Sequence, residues 1–200
     1  GGPGLGLVSV IDPLGAAFAG ARRTLHPWFD EYYTAFMDDD EGTHSGAWAI
    51  TEPDVGCDIY ARDQSFRCRA VPTAGGGGYV IDGAKSSWCS NGWMADVFIV
   101  MVAVEPENGM DGTGVFLIPA DWPGVSKGKP IDKVGLRALN QCDIAFDGCE
   151  IPKEFLIFPP GPGYDRILSQ GFVGPGNLSV GSTALGIAQA AFEHGHQYAK

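Results

Sequence analysis

Eight consecutive apolar residues, Val97 to Val104, narrow the folds open to this chain. The run is far shorter than the ~20 residues that cross a bilayer. Being continuous rather than alternating, it reads as a central β-strand buried on both faces. Such a strand needs neighbours, and from about Gly46 to about Pro152 the pattern is β throughout. Gln64 to Val71 alternates weakly, with Phe66, Cys68 and Ala70 on one face and Arg67 and Arg69 on the other. Tyr79 to Lys85 reads as a hairpin, because Asp82-Gly83 suits a type I′ turn. Asn91-Gly92 marks a second turn. Glu105 to Gly114 is expected as a loop, with Val115 to Ile118 and Cys142 to Phe146 as further strands. The tetraglycine 75–78 is a loop, and no helix follows it, so neither a P-loop nor a dinucleotide-binding turn applies. Thirty glycines and 14 prolines fit a turn-rich, stranded chain. Short strands with turn signals between them predict a barrel or sandwich of roughly 100 residues.

Helical signals flank this region. Residues 1–20 are rich in glycine, alanine and apolar residues, with Pro13 breaking any long helix. Phe29, Tyr32, Tyr33, Phe36 and Met37 recur at three- and four-residue steps, which predicts one face of a short helix over Leu25 to Met37. Acidic residues at a helix C-terminus oppose the macrodipole, so this helix is expected to stop before Asp38-Asp39-Asp40. After the Pro/Gly-rich segment 159–163, Leu178, Leu185, Ala188, Phe192 and Ala199 fit a helical apolar face. The expected organisation is α+β and multi-domain. Residues 1–45 form the end of a helical domain, 46–160 an antiparallel β-barrel domain, and 161–200 the start of a helical bundle. The first residue is Gly1 and the last lies in helical pattern, so the sequence reads as a fragment whose targeting signals would lie outside it.

Composition excludes some functions. A net charge of −11 and a pI near 4.6 argue against a nucleic-acid surface. No apolar run is long enough for a membrane span. Five cysteines at 57, 68, 89, 142 and 149 are odd in number and lack CxxC spacing, which suggests free thiols in a reducing compartment. Asn177-Leu178-Ser179 matches a glycosylation sequon by pattern alone. His194 and His196 lie about 200° apart around a helix, so a shared metal is not expected. His26 and His44 lack partners at metal-ligand spacing. Lys127, Lys129, Lys133 and Arg137 read as a solvated basic edge, with an anion contact as the lesser alternative.

Two stretches suggest a site. Trp48 to Asp58 begins as a buried strand end, and Pro53 then stops pairing because it has no N–H to donate. The turn-rich segment beyond it can hold exposed backbone N–H groups against a ligand. Trp88 follows Lys85-Ser86-Ser87 at another strand end. A tryptophan there is either core or a barrel plug, or a flat face on which a planar heterocycle stacks beside a hydroxyl.

Together these residues resemble the acyl-CoA dehydrogenase family of FAD-dependent proteins. Thr51-Glu52-Pro53-Asp54-Val55-Gly56-Cys57-Asp58 is similar to its T-E-P-x-x-G-S-D signature, and Tyr79-Val80-Ile81-Asp82-Gly83-Ala84-Lys85 to its Y-x-x-N/D-G-x-K segment. Trp88-Cys89-Ser90-Asn91-Gly92 resembles its W-I-T-N-G segment. Pro123-Gly124-Val125, Lys133 to Arg137, Phe146-Asp147 and Ile151-Pro152 follow in family order. Gly186-Ile187-Ala188-Gln189-Ala190-Ala191 resembles its G-x-A-x-x-A helix.

The resemblance implies FAD in a cleft between a middle β-domain and a C-terminal helical domain. Trp48, Ala49, Ile50 and Thr51 would contact the flavin, with Trp88 against the isoalloxazine, Cys89 beside it and Ser90 near N5. Gly56 and Cys57 would sit where cofactor phosphates and the acyl-CoA tail approach. The implied activity is α,β-dehydrogenation of an acyl-CoA thioester, with hydride passing to flavin N5 and electrons leaving to an electron-transfer flavoprotein. A homo-oligomer, dimer or tetramer, is implied too. So is a cytoplasmic location, or the mitochondrial matrix or peroxisome in a eukaryote. An oxidase, a flavin monooxygenase or a catalytically silent FAD-binding interaction module are the related alternatives.

Three departures stand out. Cys57 replaces serine, and a thiol donates a weaker hydrogen bond. Lys85 to Trp88 holds one residue more than the family's spacing. Asn177 and Gly176 stand where members carry a substrate-side arginine and, in some, the catalytic glutamate. Asn177 is therefore the candidate substrate contact, and the base is expected from a missing C-terminal part.

Overall fold

A computed structural model describes residues 27–56, 59, 61–164 and 174–200, the side chains of 28–30, 33, 174–177 and 179 excepted. The expectations for residues 1–26, for Cys57 and Asp58, and for the side chains of Phe29, Tyr33 and Asn177 lie outside the described residues. The chain divides into two compact units, one ending at Tyr164 and the other running from Asp165 to Lys200.

The first unit is built on eight strands: β1 (Gly46–Ala49), β2 (Arg69–Pro72), β3 (Gly78–Ser90), β4 (Val97–Ala103), β5 (Thr113–Pro119), β6 (Val125–Lys127), β7 (Gln141–Pro152) and β8 (Leu156–Phe158). β4 takes the first seven of the eight residues of the apolar run, and all seven are buried. β5 pairs with it antiparallel along its whole length. The opposite edge of β4 is shared. β1 runs parallel to its first half, Gly46↔Val97 to Ala49↔Val100, and β2 meets it at Arg69↔Ala103. β3 then pairs antiparallel with β2 and with β7. Phe66, Phe98, Phe116, Phe155, Ile81 and Leu117 are fully buried in the core. Burial of such a side chain stabilises by about 1.5–3 kcal/mol.

Two expectations need correction. The antiparallel barrel is not what forms: the sheet is mixed, and its pairing path β6-β7-β3-β2-β4-β5-β8 is open among the described residues. β1 lies off that path, on β4. The physical reason is that β1 and β2 are both short and occupy one edge of β4 end to end, parallel to it.

Nor is Asp82-Gly83 a hairpin turn. The reversal falls at the tetraglycine, where Thr73 N–H donates to the Gly78 carbonyl at 3.0 Å and Gly76 has φ 65°. Asp82 and Gly83 therefore lie inside the 13-residue β3. There the ladder slips: Ile81 faces Cys149 but Gly83 faces Phe146, so β7 carries one residue more. The Asp82 carboxylate accepts the Gly148 N–H at 2.7 Å, which holds the bulge. Gly83 has φ 130°, and a Cβ there would meet the Cys68 Cα at 2.7 Å, so only glycine fits.

Other expectations hold. Phe66, Cys68 and Ala70 are buried while Arg67 and Arg69 are exposed, although ladder pairing begins only at Arg69. Asn91-Gly92 opens a turn in which Asn91 has φ 62°. The helix α1 (Pro27–Met37) stops before the acidic run, and proline at its first position suits a missing N–H donor. Its buried Tyr32 donates to the Ser45 carbonyl at 3.0 Å, at the start of β1. Asp39 closes the acidic turn by accepting the His44 N–H at 2.6 Å. That hydrogen bond, with others from the His44 ring and Thr43, lowers its carboxyl to about 2.

The second unit contains the helix α2 (Gly174–Tyr198). Leu178, Leu185 and Phe192 fall on its expected apolar face and are exposed. Phe192 stacks on His196 one turn later.

Candidate functional site

The site forms where the end of β1 meets the second half of β3. After Ala49 the chain makes a tight reversal. Glu52 N–H donates to the Val55 carbonyl at 2.9 Å and Val55 N–H returns to Glu52 at 3.2 Å, with Pro53-Asp54 at the tip. Proline suits such a turn and cannot continue the ladder.

β3 is irregular here. Lys85 faces Ile144 and Cys89 faces Cys142, so four steps along β3 match two along β7. The surplus residues between Lys85 and Cys89 form a bulge, a feature common beside functional sites. The added spacing noted between Lys85 and Trp88 falls in this bulge. Its consequence is that Trp88 turns outward: the side chain is 62% exposed, so it is neither core nor a plug.

The two segments are tied at several points. Ser86 N–H donates to the Thr51 carbonyl at 2.8 Å, and the Thr51 and Ser86 hydroxyls lie 2.7 Å apart. Cys89 Sγ donates to the Trp48 carbonyl at 3.1 Å. Burial, more than the neighbouring Cys142, pushes the Cys89 thiol up to about 12, so it keeps the proton that this bond uses. Gln141 Nε2 donates to the Trp88 carbonyl at 3.2 Å and to Ser90 Oγ at 3.1 Å.

Beneath them lies a buried ion pair. Lys85 Nζ is 2.8 Å from Glu52 Oε1, and neither side chain is exposed. Lys85 also donates to the Ile50 carbonyl at 3.0 Å and sits 4.1 Å over the Phe66 ring. Glu52 accepts N–H groups from Arg67 at 2.6 Å and Cys68 at 3.0 Å. Burial lowers the Lys85 pKa, while Cys68 and Glu52 hold it up.

Of the expected contacts, Trp48, Ala49, Ile50 and Thr51 are brought against Cys89 and the Ser86–Trp88 bulge, with Ser90 next along β3. Ala49 and Ile50 are buried, whereas Trp48, Thr51 and Ser90 are half-buried. Gly56 follows the reversal and is exposed. Cys57 lies outside the described residues, and Asn177 belongs to the second unit. The expectation did not assign roles to Glu52, Lys85, Ser86 and Gln141. A lone lysine in a strand, between Ala84 and Ser86, was the available signal for the ion pair. The expected solvated basic edge holds at Lys129 and Arg137, which are exposed, whereas Lys127 and Lys133 are half-buried. Lys127 donates to the Trp93 and Ala95 carbonyls, Lys133 to the Leu139 carbonyl and Gln141 Oε1, and Arg137 pairs with Asp132.

Chemically, this arrangement offers an exposed flat aromatic face, neighbouring hydroxyls and a rigid strand end. It suits binding a planar polar heterocycle. It does not offer a base from Glu52, whose oxygens are taken by Lys85 and two backbone N–H groups. Among the described residues, no group of three or more His, Cys, Asp or Glu could hold a metal, and no helix is long and apolar enough to cross a membrane.

The chain belongs to the acyl-CoA dehydrogenase family: the model of that family's middle domain matches residues 47–149. An acyl-CoA dehydrogenase of Bacillus subtilis is 34% identical over 159 residues, covering 80% of this chain and 40% of that protein. Among solved structures, butyryl-CoA dehydrogenase from Megasphaera elsdenii has a TM-score of 0.68 at 29% identity, covering 82% of this chain and 40% of that one. An acyl-CoA dehydrogenase complexed with FAD from Bacillus anthracis has a TM-score of 0.52 at 28% identity, covering 66% and 21%. The chain thus spans about two-fifths of the length of the curated relatives it matches.

Proposed function

We propose that this chain forms one wall of an FAD site and that the native protein dehydrogenates an acyl-CoA thioester between its α and β carbons. The observation that carries this reading is the meeting of the Trp48–Thr51 strand end with the bulge that exposes Trp88. The residues fit the cofactor. Trp88 offers the flat face for the isoalloxazine, while Ser90 and Thr51 offer hydroxyls to its polar edge. Backbone groups of Trp48, Ala49, Ile50 and Cys89 would complete the seat, and Gly56 and Cys57 are the proposed contacts for the phosphates and the acyl-CoA tail. Asn177 is a further proposed substrate contact. The flavin, when bound, supplies the acceptor for the substrate's hydride.

The chain's own part is to seat and polarise. Ser86 and Gln141 hold Thr51 and Ser90 in place, and the buried Cys89 thiol holds the Trp48 carbonyl. Because Glu52 is sealed in an ion pair, the proposed α-proton base comes from elsewhere in the native protein. An electron-transfer flavoprotein as electron acceptor and a homo-oligomeric assembly are part of the same proposal.

The direct test is the visible spectrum of the native protein, followed by anaerobic addition of a panel of acyl-CoA thioesters. A flavin band that bleaches with one or more of them is the expected result. A native protein without flavin absorbance would sink the reading. Flavin that no thioester reduces would leave only the cofactor half of the proposal standing.

A further inference from the structure

We infer that Glu52 and Lys85 are a positioning pair: they fix the backbone on both sides of Thr51 so that the cofactor-facing strand ends keep one alignment. The inference rests on the flavin reading above and extends it to two residues that touch no cofactor.

The geometry is directional. Lys85 grips the chain before Thr51 through the Ile50 carbonyl at 3.0 Å and after it through Glu52 at 2.8 Å. Glu52 in turn accepts two successive N–H groups, from Arg67 and Cys68, just before β2. The pair therefore links the β1 end, the approach to β2 and the middle of β3. This linkage matters because the register partners of β3 are β2 and β7, not β1. The β1 end is instead held against β3 through Ser86, Cys89 and Lys85. Without Lys85, the segment Ile50–Glu52 would keep the two Thr51–Ser86 hydrogen bonds but lose the anchors on either side of Thr51 that help to set where it lies relative to the Trp88 bulge.

Removing two charges from water costs more than their attraction offsets unless the remaining donors and acceptors are met, and apolar pairs often replace such bridges without loss. Here both oxygens of Glu52 are met, and the Lys85 ammonium has two oxygen acceptors and an aromatic face. A pair so fully satisfied allows one arrangement of its neighbours.

The test uses the native protein stripped of flavin, with FAD itself as the probe. Lys85→Met and Glu52→Gln are each titrated with FAD well below their own melting transitions, where the chain is folded. Both are expected to melt earlier than the parent. FAD affinity is also expected to fall by about ten- to a hundredfold, the range one unmade buried hydrogen bond corresponds to. The visible band of whatever flavin remains bound is expected to shift. A purely structural role would lower the melting transition and leave the affinity of the folded protein unchanged, which overturns the inference. Failure of both variants to fold at any temperature would mark the pair as a folding element and overturn it as well. A parent that binds no FAD points to a different failure, that of the functional reading itself.

Discussion

Gly83 shows how much a single residue can decide. Its φ of 130° and the approach of Cys68 leave no room for a side chain. Gly83→Ala is therefore expected to destabilise by about 1–3 kcal/mol, the usual cost of a non-glycine residue in sparsely allowed backbone space. A denaturant titration of the native protein measures this, and a variant as stable as its parent would mean that β2 and β3 can separate locally. The sequence carried the Asp-Gly signal but not its meaning. The same dipeptide serves a turn or a bulge, and the neighbouring glycines 75–77, which have open space around them, made the cheaper reversal. Trp88 shows a similar ambiguity. Its place near a strand end beside serine hydroxyls was legible, but its 62% exposure depends on a bulge that periodicity does not reveal.

Among the elements, β4 is the one read most completely from sequence. Seven of the eight residues of its apolar run became a strand buried at every position, with β5 on one edge and β1 and β2 on the other. Ile99 is 1% exposed and paired on both sides, with Trp48 and Leu117. Ile99→Ala should cost about 2–5 kcal/mol through lost burial and the cavity left behind. Val71→Ala on β2, where the side chain is 60% exposed, should stay within about 0.5 kcal/mol. Paired denaturation midpoints check the contrast, and equal losses at the two positions would contradict this account of the core. The elements around β4 were less legible. β3 and β7 run to 13 and 12 residues, longer than the expected strands, because bulges let each continue past a break in its pattern.

At the scale of the whole molecule, buried thiols tie stability to pH. Burial raises Cys68 and Cys89 from their ordinary value of 9.0 to about 12, and Cys149 to about 11. The folded state keeps these protons where the unfolded chain loses them. Their contribution is therefore complete below pH 9.0 and is lost as pH rises through about 11 to 12. Thermal midpoints should fall as pH climbs above 9, with a shallower slope in the Cys68→Ala/Cys89→Ala double variant. An identical slope in parent and variant would show that other groups govern alkaline unfolding.

By itself the sequence determined the strand-rich middle, the end of α1, the buried β4 and the family, because motif order and side-chain period are local properties of the chain. It also named the two segments that meet at the candidate site. The tertiary structure alone decided that the sheet stays open among the described residues, that β1 and β2 share one edge of β4, and that Glu52 reaches Lys85. Period reports which face of a segment is buried; it does not report which distant strand covers that face. Glu52 and Lys85 lie 33 residues apart, and only the folding of β3 past the end of β1 brings them within 2.8 Å.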